Sequence, residues 1–89
     1  MNLRDLMGNA PLAEAARAAL SVADALQHHP RKGVRLMGLC VAFLLAAGAA
    51  GMSVPDLMGM ARNCIHSAKG RRAEFAAVND YLREEVFRA

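Results

Sequence analysis

Threonine and tryptophan are absent from this chain of 89 residues, and aromatic side chains make up only 4% of it. Strands draw on β-branched and aromatic residues alternating with polar ones, and no run of that kind occurs. Catalytic apparatus is also missing. No carboxylate pair flanks an apolar pocket signal, no Cys–His pair has a local signature, and no glycine-rich loop follows a strand. An enzyme is therefore not expected, and neither is a cofactor. The two cysteines, Cys40 and Cys64, lack the second spaced pair that zinc requires. Cys64 and His66 fall on different helix faces, and His28 with His29 suits a helix C-terminus better than a metal. Free, buried thiols in a cytoplasmic protein are the expectation, because the polar start "MNLRDLMG" has no apolar stretch of a secretory signal.

Alanine supplies much of the 55% apolar content, which favours helix and gives little burial per residue. The fold class expected is all-α: one domain, 1–89, with four helices over about 10–28, 33–51, 54–69 and 71–88. Asn9 is the expected N-cap of the first, with Pro11 in its tolerant first turn, and "HHP" at 28–30 ends it. Leu12, Ala16, Ala19, Ala23 and Leu26 line its apolar face. Residues 1–8 add a short helical turn. Gly51 stops the second helix. Ser53, Pro55 and Asp56 open the third in the manner of a capping box, and Gly70 is placed to end it. Phe75, Val78, Leu82 and Val86 share one side of the fourth. Short connections point to a compact bundle.

A different lack shapes the centre of the chain: from Leu36 to Met52 there is neither a charge nor an amide. Three covers are conceivable for such a helix. A bilayer is one, with a single span over 36–54 and Arg31, Lys32 and Arg35 as a positive flank. Seventeen helical residues reach only about 25 Å, however, against roughly 30 Å of hydrocarbon, and the second half is mostly alanine and glycine. The chain's own alanine-rich first helix is another. The third is a second copy, since Gly38, Ala42, Ala46 and Ala50 recur every fourth residue and would let a second backbone approach closely. A homo-oligomer seam on those four residues is the preferred expectation.

Charge is unevenly spread. Residues 25–73 carry a net +6, between ends of −1 (1–24) and −2 (74–89). Arg31, Lys32, Arg35, Arg62, Lys69, Arg71 and Arg72 are the candidate partner-binding residues, and an antiparallel second and third helix would gather most of them at one end. "AGAAGMSVPDLMGMAR" resembles the helix-turn-helix motif over about twenty residues, through Ala47, Gly51, Met52, Leu57 and Met60. That resemblance implies a DNA-binding regulator. The would-be recognition face, Val54, Pro55, Met58 and Gly59, offers base edges almost no hydrogen bonds.

The function expected is that of a small non-enzymatic binding protein, of the accessory or inhibitor sort that phages and mobile elements encode. It would occupy an anionic protein or nucleic acid through the basic end, or a partner through an apolar surface containing Met52, Met58 and Met60. A helix-turn-helix regulator and a small membrane protein are the alternatives.

Overall fold

The computed structural model describes residues 2–88, so positions 1 and 89 of the expected domain lie outside the described residues. Five α-helices account for most of the chain. They are α1 (Leu3–Gly8), α2 (Leu12–Leu26), α3 (Lys32–Ala50), α4 (Val54–Ile65) and α5 (Ala76–Tyr81). The class is all-α, as the composition requires.

Local chemistry explains most of the boundaries. The Asn2 side chain accepts from the Asp5 N–H and caps α1. That short helix displaces the expected cap, because Asn9 now closes α1, donating its N–H back to the Asp5 carbonyl. Pro11 stands before α2 with no side-chain cap. Past Leu26 the N–H groups of Gln27, His28 and His29 turn back to the carbonyls of Asp24, Ala25 and Leu26, and Pro30 prevents continuation. α3 ends at Gly51, which takes φ 67° and ψ 31°. The Met52 N–H then reaches the Ala47 carbonyl, 3.1 Å away, in the six-to-one bond of a Schellman ending. Ser53 caps α4 by accepting from the Asp56 N–H at 3.2 Å.

The third helix is shorter than its apolar pattern suggests. It stops at Ile65 and gives way to a hairpin, β1 (His66–Ser67) antiparallel to β2 (Gly70–Arg71), with His66 opposite Arg71. Ser67 drives the change. Its hydroxyl accepts from the Lys69 N–H and lies 3.4 Å from the Gly70 carbonyl, offering the backbone a turn in place of another helical one. Gly70 adopts φ 110°, which a side chain would resist. The Arg72 N–H closes the hairpin onto the Ile65 carbonyl at 2.8 Å. The expected last helix is likewise divided, into a 3-10 turn (Ala73–Phe75), α5 and a terminal π-helical turn (Leu82–Val86).

Packing centres on α2 and α5. Ala16, Phe75 and Val78 form the buried cluster, with Leu12, Ala19, Ile65 and Leu82 against it. Among the described residues the other buried apolar side chains are Ala23, Ala47 and Val86. Three of these six are alanines, so the core is thin. Tyr81 ties α5 to the end of α2: its hydroxyl lies 2.8 Å from Asp24 Oδ1 and 2.7 Å from Gln27 Oε1. With one proton to give, it donates to the carboxylate, and the Gln27 amide completes the contact when turned to donate.

Candidate functional site

α3 contributes one of those buried residues, Ala47. Arg35 and Leu39 are half-buried, and with Phe43 and Ala47 they mark its inward line at four-residue steps. Everything else on the helix faces solvent, including Val34, Leu36, Val41 and Leu44, with Met37 66% and Leu45 69% exposed. Gly38, Ala42, Ala46 and Ala50 are all exposed, one residue round from the inward line. The chain's own α2 therefore does not cover that stripe. Cys40, expected to be buried, is exposed on α3, while Cys64 is half-buried and both thiols are free. By length and composition α3 could cross a membrane.

The basic residues separate into two groups. Arg31 and Lys32 are exposed at the start of α3. Arg35 is held internally: Nη1 donates to the Val86 carbonyl at 2.6 Å, Nη2 to that of Gln27 at 3.3 Å, and Nε to that of His29. As a clamp on the ends of α2 and of the terminal turn, it is spent within the chain and leaves the set of free cations. The second group surrounds the hairpin. Arg62 lies in the last turn of α4, Lys69 in the turn, and Arg71 on β2; all three are exposed. Arg72 is half-buried, with an Nε that has no hydrogen-bond partner.

The expected convergence of the two groups does not occur. Arg72 lines a groove beside Leu12 and Ala15 at the start of α2, whereas Arg35 bonds the Gln27 carbonyl at its far end. Fifteen helical residues separate those points, roughly 22 Å, well beyond a Debye length of about 8 Å. α4 does not run back along α3, because its last residues, Cys64 and Ile65, pack against the Ala16, Phe75 and Val78 cluster instead. The alternation of the strand divides the hairpin's own cations too. Arg71 and His66 share one face and rim an open groove of about 450 Å³, floored by Ala19, Ile65, Phe75, Val78 and Leu82. Arg72 points to the opposite groove, with Met7, Leu12 and Met60.

The one ion pair among the described residues is Arg4–Asp56 at 2.7 Å. Arg4, and then the Ser53 cap, hold the Asp56 carboxyl below its ordinary value. Arg62, Lys69 and Arg71 thus stand without an acidic partner among those residues. Sequence patterns did not reveal the Arg4–Asp56 and Tyr81–Asp24 ties, which span 52 and 57 residues. Among the described residues no three His, Cys, Asp or Glu side chains gather as a metal site would need.

The segment that resembles a helix-turn-helix runs as α3, a left-handed Gly51 and then α4, with Ala47 buried. The outward residues of α4 include Pro55 and Met58, which cannot read base edges by hydrogen bonds. No family model matches this chain, and neither a curated protein nor a solved structure is similar to it.

Proposed function

We propose that this chain is a non-enzymatic binding protein that occupies an anionic macromolecular partner through its basic hairpin. One observation carries the reading: Arg62, at the end of α4, and Lys69 and Arg71, on the hairpin closed by the Arg72–Ile65 backbone bond, are exposed cations with no ion-pair partner among the described residues. Like charges on a small rigid element repel, and an opposing anionic surface relieves that repulsion. A fixed hairpin also loses little conformational entropy on binding. Arg31 and Lys32 form a separate, secondary patch.

The test compares the protein with its Lys69→Glu/Arg71→Glu variant, using a short duplex DNA and polyglutamate as probes. The native chain should bind one of them, and the variant should bind it far more weakly at unchanged helicity. Native protein that binds neither at low salt would defeat the reading. Duplex binding would favour the helix-turn-helix alternative, which the α3–Gly51–α4 corner followed at once by a basic hairpin supports. Contact there would be with phosphates rather than base edges, so affinity should be indifferent to sequence. The salt slope should then fall by about one for each phosphate that the variant no longer neutralises.

A membrane reading draws on the exposure of α3 but conflicts with how that helix is held. Arg35 fastens its start to the end of α2, while α4, directly after it, meets the beginning of α2. With its start tied to α2 and the end of the following helix packed on the α2–α5 core, α3 could span a bilayer only if one of those contacts were broken. Flotation of the protein with lipid vesicles would favour the membrane reading.

A further inference from the structure

We propose that the outer face of α3 is the seam of a symmetric dimer, in which two copies of this chain pack their α3 helices antiparallel, crossing at Val41.

The first support is area. A compact monomer of 9.5 kDa should expose about 5,000 Å². This chain exposes 6,495 Å², an excess of roughly 1,500 Å² over that expectation. A standard interface takes about 800 Å² from each partner, and obligate homodimers take more. The excess is therefore of the size an obligate partner would cover. Seven of the thirteen large apolar residues that remain exposed are on α3, including the most exposed of all, Leu45 and Met37.

The second support is the pattern, and it points to a copy of the same chain. Opposite the inward line of Arg35, Leu39, Phe43 and Ala47 run Met37, Val41 and Leu45. In a two-fold interface each contact occurs twice, with residue i on j and j on i. Placing the axis at Val41 makes the positions of every opposed pair sum to 82. Met37 then meets Leu45, Gly38 meets Leu44, and Val34 meets Gly48. Two of these three pairs set a bulky side chain against a glycine, which brings two helix axes towards the close end of the usual 8–10 Å. Those glycines serve nothing within the chain, since a Cβ on Gly38 or Gly48 would meet no atom within 4 Å. Glycine inside a helix is otherwise disfavoured relative to alanine.

Charge selects the antiparallel sense. α3 carries its only charges, Lys32 and Arg35, in its first turn, with Arg31 just before it. Parallel pairing would bring the cations of both copies together. The antiparallel arrangement moves them to opposite ends and brings the exposed Arg31 and Lys32 of each copy to the C-terminal end of the partner's α3, where the dipole is negative. The seam differs from the small stripe of Gly38, Ala42, Ala46 and Ala50. It includes Gly38 but turns toward the face that points straight out.

Light scattering on the full chain in detergent-free buffer should give twice 9.5 kDa, about 19 kDa. Val41→Arg should give the monomer mass with helicity kept, because Val41 is exposed and lies opposite the inward line of α3. In a Cys40→Ser/Cys64→Ser background, Val41→Cys should form an intermolecular disulfide on mild oxidation. Val34→Cys should not, since the two Val34 positions would sit roughly 21 Å apart along the paired axes. A monomeric native protein overturns the proposal, as does a dimer that Val41→Arg leaves intact. Cross-linking at both positions would mean parallel helices and overturns it equally.

Discussion

Tyr81 offers a direct probe of how α5 is joined to the end of α2. It is the single tyrosine, and no tryptophan competes in the near-ultraviolet. Desolvation by its neighbours, and then the Asp24 carboxylate it bonds, raise the phenol above its ordinary 10.0. A raised acid favours the folded state below the unfolded value and loses that contribution as pH climbs through the folded one. Difference absorbance should therefore show a midpoint above 10.0, and Asp24→Asn should lower it. A midpoint indifferent to that change would mean that Asp24 does not hold the hydroxyl. Asp56 works in the other direction: its depressed carboxyl supports the Arg4 tie above the ordinary carboxylate range and loses it as pH falls through the folded value. Arg35 carries more of the structure than either. Arg35→Met removes a charged donor from three main-chain carbonyls and should cost about 2 kcal/mol in urea unfolding. Arg35→Lys should recover less than half, because one ammonium cannot span the fork. The sequence marked Arg35 as a free cation because its partners are backbone oxygens at 27, 29 and 86, which no side-chain pattern displays.

The element that departs most from its pattern is the one after α4. Apolar spacing fixed α2 and α3 to within two residues at each end, since a helical face needs only a period and a stop. A period cannot reveal a stop made by side-chain competition. Gly70 is equally suited to ending a helix or turning a hairpin, and the Ser67 hydroxyl decides between them. The hairpin, and with it the division of the basic residues between two faces, was thus hidden from periodicity. Gly70→Ala tests the assignment. At φ 110° a Cβ is strained even though no neighbouring atom crowds it, and the cost should be about 1–3 kcal/mol. Had α4 continued as a helix to 69, the same substitution at its stop would cost less, and unfolding midpoints separate the two. The variant should also weaken polyanion binding if the hairpin presents Lys69 and Arg71 as a unit.

At the scale of the molecule, the thin alanine-rich core and the bare α3 belong together. Small side chains let α2 approach its neighbours closely but bury little surface, so the monomer alone has a narrow stability margin. If α3 is covered by a second copy, folding and pairing are linked, and stability must depend on protein concentration. The thermal midpoint should rise with each tenfold increase in native protein and stay constant for Val41→Arg. A constant native midpoint would mean that whatever covers α3 is absent from the pure protein.

The polar ties across the molecule have a kinetic consequence. Arg4–Asp56, Arg35–Val86 and Tyr81–Asp24 each join residues more than fifty apart. Individual helices form within about a microsecond, whereas bringing together points fifty residues apart costs roughly 3.5 kcal/mol of chain entropy before a constant term. Docking of α5 on α2 would meet this cost for two of the three, and side-chain ties such as those of Arg35 and Tyr81 are expected to close after it. Their loss should therefore hasten release far more than it slows arrival. Release should begin where the last residues return to the end of α2, at the Arg35–Val86 and Tyr81–Asp24 contacts.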